Sequence, residues 1–361
     1  MITYRRRSCA RAADRLGWAR YPAISEHTPV QLSVIIVTWD GLRYLPACLE
    51  ALAPQLPADG EIVVVDNGSC DGTAAWLRAS HPAARLLALP ENIGFAGGVN
   101  AGLRAARGEL LLLANNDAFC QPGFVQSLLG AARAQPEIGA FGAVLTFNHR
   151  PDLVASAGVR LRADGVALDL WAERPVAELP DAPQPIFGVS GGAALYRRTM
   201  LTDIGLMEPS FFNYLEDVDL ALRARLRGWE SAVVPTALAR HIYSASGVQG
   251  SALKQRLLAR NRLRALVRCL PKTLLLRCLP QIMAYDLAAA AYGLASGRRA
   301  MASGRREALS ELPQLLVERL AIQAARTAPV SAIGRWIEPV PPPWATLAAQ
   351  RRLDALLRQR V

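Results

Sequence analysis

Several side chains in this sequence have the type and spacing to do chemistry. The segment FFNYLEDVDLALR (211–223) sets Glu216, Asp217 and Asp219 at the opening of a helix, where the macrodipole favours carboxylates. One carboxylate of such a crowd, its pKa raised by its neighbours, can take a proton from a hydroxyl. The same acids could equally do no more than stabilise the helix start. The triplet Asn115-Asn116-Asp117 emerges from an apolar run, LLLLANNDA (110–118). Asp117 with one further oxygen ligand could fix Mg2+ or Mn2+ between diphosphate oxygens, or simply cap the next turn. His241, in RHIYSASG (240–247), follows a strand and could complete a metal site with Asp117, although a lone histidine is more often structural.

Two further segments have the chemistry to hold a nucleotide. In EIVVVDNGSCDGT (61–73) Asp66 ends an apolar run and Asn67-Gly-Ser follows. That carboxylate can accept from a base imide or a ribose hydroxyl, or serve as a local turn cap. In ENIGFAGGVNAGL (91–103) Gly94, Gly97 and Gly98 would let the backbone approach a ligand, and the loop opens a helix whose N-terminus favours anions. The segment matches neither G-x-G-x-x-G nor a P-loop, so on its own it could also be a flexible loop.

These residues need elements to position them. LSVIIVT (32–38), EIVVVD (61–66), RLLAL (85–89) and ELLLLAN (109–115) are short, continuous apolar runs, as expected of strands buried on both faces of a parallel sheet. Helical stretches alternate with them: 44–53, 71–80 with Asp71 as a cap, and 99–108 ending at Gly108. This β-α-β-α-β-α-β order predicts a doubly wound α/β sheet, whose ligands bind beyond the carboxyl ends of the strands. Thr38–Asp40, Asp66–Ser69, Glu91–Gly98 and Asn115–Asp117 should therefore share one edge. Residues 138–189 read as short strands and turns. FGVSGGAALYRR (187–198) reads as a strand and glycine turn before a helix, 211–229 as a helix closed by Gly228, and WESAVVP (229–235) as a strand. Beyond about residue 250 the chain is Leu/Ala/Arg-rich and helical.

The 361 residues are 52% hydrophobic, which excludes wholesale disorder. The formal net charge of +11 is uneven. Residues 1–30 carry +4 and residues 254–361 carry +13, with 19 basic and 6 acidic residues, leaving −6 for the body between them. Nucleic acid is therefore not an expected partner of the body. The six cysteines form no C-x-x-C pair and no disulfide framework, and a reducing, cytoplasmic setting is the default. No uninterrupted apolar run of about 18 residues occurs; 279–294 comes nearest but contains Gln281 and Asp286.

Taken together, the motifs resemble those of a family 2 inverting glycosyltransferase of the bacterial rhamnosyltransferase and galactofuranosyltransferase subgroup, over about residues 32–245. The resemblance implies a GT-A fold: a Rossmann-like, mixed sheet flanked by helices, as in nucleotide-diphospho-sugar transferases, here with a helical C-terminal region. It divides the chain into a basic, disordered extension (1–30), a catalytic domain (31–250) and a basic helical region (251–361). LSVIIVTWDG resembles the opening strand and nucleotide contacts, Thr38 to Asp40. VVVDNGSCDGT resembles the base-binding element, with Asp66 and Asn67. ENIGFAGGVNAG is similar to the nucleotide loop, with Asn92, Gly94 and Asn100. NND stands where the family has a D-x-D metal motif. Asn115 replaces its first acid, Asn116 lies at the nucleotide, and Asp117 keeps the metal role with His241. EDVDLALR resembles the ED motif, with Glu216 the first acid and Asp217 the catalytic base. Gly191 and Gly192 of VSGGAALYRR belong to the acceptor side.

The activity so implied is transfer of a sugar from a nucleotide-diphosphate donor, dTDP-rhamnose or a UDP-sugar, to a hydroxyl of a glycan or polyprenyl-linked acceptor, with a divalent metal as cofactor. The setting would be polysaccharide synthesis in the cytoplasm, peripheral at the inner face of the cell membrane. LKQRLLARNRLRALVR (253–268), with Tyr285 and Tyr292 beyond it, reads as a basic amphipathic segment for an anionic membrane surface, or as a solvated lid or dimer contact. The rival readings are a nucleotidyltransferase, for which VTWDGLRYL offers only Arg43 as a basic loop residue, and a non-catalytic nucleotide-sugar-binding module.

Overall fold

The run VQLSVIIVT forms strand β1 (Val30–Thr38), whose side chains alternate between two covered faces. Leu32, Val34 and Ile36 enter one core cluster and Ile35 and Val37 the other. Covering both faces is what makes the run continuously apolar. The computed structural model describes residues 30–242, 251–296 and 299–358. The expected extension before Val30, the segment 243–250 and the domain boundary placed at 250 lie outside the described residues.

After β1 come α1 (Leu45–Leu52), β2 (Glu61–Asp66), α2 (Thr73–Ser80), β3 (Arg85–Ala88), α3 (Gly94–Ala105) and β4 (Gly108–Asn115). The four strands are parallel in the order β3-β2-β1-β4. The order reverses beside β1, so β1 and β4 flank the switch point where such sheets bind ligands. Their registers align the polar ends: Thr38 lies opposite Asp66, and Val37 opposite Asn115.

β5 (Ala118–Cys120), α4 (Phe124–Ala134), β6 (Ile138–Phe147), β7 (Arg150–Ser156), β8 (Val159–Arg162), β9 (Ala167–Asp169), β10 (Gln184–Ile186), β11 (Ala193–Arg197), α5 (Arg198–Ile204), α6 (Glu216–Arg227) and β12 (Glu230–His241) follow. They extend the sheet beyond β4 as β11, β6, β12 and β10, with β11 antiparallel to both β4 and β6. The result is the mixed, helix-flanked sheet expected from the sequence.

The C-terminal region is helical: α7 (Ala252–Cys269), α8 (Lys272–Ala295), α9 (Ala300–Ser310), α10 (Leu312–Ala324), α11 (Val330–Gly334), the short β13 (Ile337–Glu338) and α12 (Pro343–Arg358). β13 pairs with β8 to complete a small three-stranded sheet with β9. A third apolar cluster joins this region to the body through α6. Leu220, Leu222 and Leu226 of α6 divide between two faces. Leu220 packs with the sheet, whereas Leu222 and Leu226 pack against Ala265, Leu266 and Leu270. Steps of two residues turn a helix by about 200°, so both sides of α6 are covered.

Two sequence expectations change here. The third helix does not begin at 99 and end at Gly108; it begins at Gly94, and Gly108 opens β4. The segment 253–268 is not a surface amphipathic helix. It is α7, the inner helix of the C-terminal region, with Leu257, Asn261, Arg262, Arg264 and Arg268 all buried. Its arginines meet acids: Arg262 pairs with Asp286, Arg264 with Glu311, and Arg268 with Asp219, Glu208 and Glu318. Tyr285, expected at the lipid, lies under Arg262 with the guanidinium 4.4 Å from the ring centre.

Candidate active site

The predicted strand-end residues meet along one edge, and hydrogen bonds tie them together. At the switch point Asn116 Nδ2 donates to Thr38 Oγ1 at 2.9 Å, joining the ends of β1 and β4. Asp40 takes the Cys70 N–H at 2.7 Å and gives its own N–H to Ser69 Oγ, so the loops after β1 and β2 are cross-linked. Asp66 Oδ1 takes the Ser69 N–H at 3.1 Å. Asp71 does not itself cap α2, since Gly72 precedes that helix. Its carboxylate instead takes the Thr73 and Leu42 N–H groups.

Asn67 and Asn92 shape the loop that opens α3. Asn67 Nδ2 donates to Asn92 Oδ1 and Gly94 O, and its Oδ1 accepts from Ile93 N. Asn92 Oδ1 also takes the Gly94 N–H. Gly94 has φ +81°, and a Cβ there would come within 2.5 Å of Phe212, so glycine answers both a left-handed backbone and a close approach. Two expectations for this segment are corrected. Asn100 is not at the nucleotide: it is buried within α3, and its amide exchanges hydrogen bonds with both backbone groups of Met207. Gly97 and Gly98 do not serve ligand approach. Gly97 packs under Ile93, and a Cβ on Gly98 would sit 2.8 Å from Val37 Cγ1. Of the two, Gly98 brings α3 close to the sheet.

On the other side of the edge, the dipeptide Gly191-Gly192 links two acidic motifs. Gly191 N–H donates to Asp217 Oδ2 at 3.1 Å, and Asn115 N–H donates to Gly192 O at 2.9 Å. Asp217 also takes the Val218 N–H and remains partly exposed, whereas Glu216 is buried and its Oε2 has no hydrogen-bond partner. Burial, and then the Asp217 charge, push the Glu216 carboxyl up to about 8. Burial also raises Asp217, to about 6, against the lowering effect of the Gly191 and Val218 N–H groups. Near neutral pH Glu216 is thus protonated and Asp217 ionised: environment separates two adjacent carboxyls into an acid form and a base form. Asp219 has a different task. It is fully buried between Arg223 and Arg268, which hold its carboxyl below the usual range despite burial.

Asp117 Oδ1 lies 3.1 Å from His241 Nε2, because β12 returns alongside β5 and pairs His241 with Ala118. Among the described residues no group of three or more His, Cys, Asp or Glu is placed to hold a metal ion; Asp117 and His241 are the acid and the histidine of this corner. Asn115 completes it: its Nδ2 is 3.4 Å from His241 Nε2, and its buried Oδ1 has no hydrogen-bond partner. An amide oxygen, a carboxylate oxygen and an imidazole nitrogen fit Mn2+ or Mg2+ when phosphate oxygens fill the remaining positions.

Two residues of the site were not singled out from the sequence. A Cβ on Gly41 would fall 2.0 Å from Asn116 Nδ2 and 2.2 Å from Thr38 Oγ1, so glycine is required where the chain crosses the switch point. The glycine of VTWDG was a visible signal for it. The other is Asn261 on α7. Phe212, Tyr214 and Leu215, just before the acidic pair, all have positive φ. Asn261 Nδ2 faces three carbonyls of this turn, Phe211, Asn213 and Tyr214, at 3.0, 3.0 and 2.7 Å. No local sequence signal links residues 47 to 50 positions apart.

A parallel half-sheet, joined to a mixed half whose far side presents a carboxylate pair, is the GT-A fold. Residues 33–205, just under half of the chain, match the family model for glycosyl transferase family 2. It is similar to N-acetylglucosaminyl-diphospho-decaprenol L-rhamnosyltransferase of Mycobacterium tuberculosis, 28% identical over 237 residues, covering 58% of this chain and 75% of the relative. Succinoglycan biosynthesis protein ExoO of Rhizobium meliloti is 29% identical over 221 residues, covering 60% of this chain and 58% of that protein. Among solved structures, S. aureus TarS 1–349 superposes with a TM-score of 0.51 at 14% identity, covering 82% of this chain and 91% of TarS. The same protein in complex with UDP-GlcNAc gives 0.50 at 15% identity, with the same coverage. At such identities the likeness concerns the fold. The matched domain and the glycosyltransferase relatives favour sugar transfer over the nucleotidyltransferase and non-catalytic readings.

Proposed function

We propose that this glycosyltransferase moves a sugar, with inversion at the anomeric carbon, from a nucleotide-diphosphate donor to an acceptor hydroxyl, and that Asp217 is the base. The observation that carries the proposal is the split pair: Asp217 is ionised near neutral pH, partly exposed and aimed by the Gly191 N–H, beside a buried Glu216 that holds its proton. The acceptor hydroxyl gives its proton to Asp217 as its oxygen forms the bond to the anomeric carbon. The bond from that carbon to the diphosphate breaks on the opposite face, in one displacement.

The donor lies across the strand ends, with its nucleoside near Thr38 and Asp66 and its diphosphate toward Asp117. Asp117, His241 and Asn115 would hold a divalent ion. When bound, the ion supplies Lewis-acid stabilisation of the leaving diphosphate. Asn67 and Asn92 keep the nucleotide loop in shape, and Gly94 lets that loop meet the turn before α6. The mycobacterial relative is named as a rhamnosyltransferase with a decaprenol-diphosphate-linked substrate, which supports a polyprenyl-diphosphate-linked acceptor and a rhamnosyl donor here, with dTDP-rhamnose first in the panel. The UDP-GlcNAc complex of TarS keeps UDP-sugars in the panel to be tested.

The test is Asp217→Asn assayed with a panel of nucleotide sugars and a lipid-linked acceptor, with the anomeric configuration of the product read by NMR. The expected outcome is an inverted product from the wild type and a loss of transfer of about 10²–10⁴-fold in the variant. A folded variant with near wild-type transfer, or a retained configuration, would refute the assignment.

A further inference from the structure

The helix α8 is amphipathic in a way that the interior of the protein does not use. Its inner face, Leu274, Cys278 and Ile282, packs in the third core cluster. Its outer face exposes Leu276, Leu279, Met283, Leu287 and Leu294, which are 57, 42, 52, 67 and 86% accessible. At 1.5 Å per residue this stripe runs for about 27 Å. The helix is long and apolar enough to cross a membrane by length and composition alone. However, its inner face is packed against the body and Asp286 is paired with Arg262 and Arg305, so it lies along a surface.

The arrangement of charge says what that surface is. The acids carried by α8, α9, α10 and their junctions are drawn inward by arginines: Asp286 by Arg262 and Arg305, Glu307 by Arg256 and Arg260, Glu311 by Arg264, and Glu318 by Arg268. Arg277 on α8 itself, Arg299 at the start of α9 and Arg306 within it are exposed and form no ion pair with an acid among the described residues. A second copy of this chain would bring cations against cations there. An anionic bilayer matches both features, since it accepts the apolar stripe at the acyl boundary and neutralises the arginines at the headgroups.

We infer that the outer face of α8 is the membrane-contact surface of this protein and that it lies in the interface of anionic lipid bilayers. The basic excess of the C-terminal region then serves two ends: α7 draws the acids inward, and the exposed arginines meet lipid phosphate. The contact would hold the site at the depth where lipid-linked acceptors are presented. That last use rests on the proposed acceptor class; the lipid contact itself does not.

The experiment is flotation of the full chain with vesicles of phosphatidylcholine alone and of phosphatidylcholine with about one third phosphatidylglycerol, without donor or acceptor. Wild type is expected to float with the anionic vesicles at least about tenfold more than with the neutral ones. Met283→Glu with Leu287→Glu should lower that binding by about tenfold or more, because two charges enter the acyl boundary. Donor hydrolysis and melting temperature should be unchanged in this double variant, which separates loss of the contact from failure of the catalytic proposal. Wild type that stays behind with both vesicle types, or a double variant that floats like wild type, would overturn the inference. So would a wild-type dimer in light scattering that the double variant dissociates while no vesicle binding occurs, since a second copy would then cover the face.

Discussion

Asn261→Leu should impair catalysis although residue 261 lies outside the nucleotide-binding half and touches no proposed reacting group. Its amide has two hydrogens, shared among the carbonyls of Phe211, Asn213 and Tyr214. These carbonyls belong to the turn in which Phe212, Tyr214 and Leu215 have left-handed φ values of 64°, 72° and 66°. Each such residue costs about 1–3 kcal/mol, so the turn relaxes unless something holds it. Leucine is close in volume and removes only the donor. Two lost hydrogen bonds are worth about 1 kcal/mol each, and a buried carbonyl left unpaired adds about 1–3 kcal/mol. A loss of about 3 kcal/mol lowers the population of the poised turn by roughly 100-fold, since every 1.4 kcal/mol is tenfold. The turn leads directly into Glu216 and Asp217, so kcat should fall by about 10–100-fold, with the donor KM changed far less. The pH profile supplies a readout that simple destabilisation would not move. Asp217 is held up at about 6 by burial. Loosening the turn admits water, and the ascending limb should shift to lower pH. Steady-state kinetics across pH 4.5–9, with circular dichroism to confirm folding, checks this. A folded Asn261→Leu protein with kcat within twofold of wild type and an unmoved limb would refute the positioning argument.

Glu216→Gln should keep the ascending limb near 6 and remove a descending limb near 8, if ionisation of Glu216 is what closes the active window. The same variant tests linkage. The folded-state pKa of Glu216 is raised from 4.5 to about 8, so the folded protein binds the proton more tightly and wild-type stability falls as pH rises through that window. Thermal melts of Glu216→Gln should fall less steeply between pH 5 and 8; parallel slopes would argue against a buried, protonated Glu216. For the metal corner, Asp117→Ala and His241→Ala should each weaken Mn2+ binding, measured by calorimetry in the presence of the nucleoside diphosphate, and wild-type transfer should be lost in EDTA. Full activity in EDTA would remove the ion from the scheme. Gly102→Ala places a Cβ 2.4 Å from Ile35 Cγ2, and overpacking there should cost about 1–3 kcal/mol in urea denaturation. An unchanged midpoint would show that α3 can move off the sheet.

What the sequence determines by itself is periodic or local. The four apolar runs from Leu32 to Asn115 show the parallel half-sheet; β1, β2 and β4 are apolar because both faces are covered, whereas β3, at the sheet edge, is only half-buried. The positions of Thr38, Asp66 and Asn115–Asp117 at the ends of those runs follow from topology, and the geometry brings them to one edge. Only the tertiary structure separates residues that look alike in the motifs. Asn100 and Asn92 stand in one glycine-rich segment, yet α3 turns Asn100 toward Met207 while Asn92 stays in the loop. Glu216, Asp217 and Asp219 share a helix start. Burial keeps the first protonated, Gly191 aims the second, and two arginines claim the third. The basic stretch 253–268 reads as a surface when considered alone, because amphipathicity says that a helix has two faces but not which neighbour covers each. The acids that meet its arginines lie as far away as Asp219 and Glu318, and only folding brings them together. The same long-range packing leaves α8 with an apolar face turned outward, and it places a carboxamide at position 261 against the turn that presents Asp217.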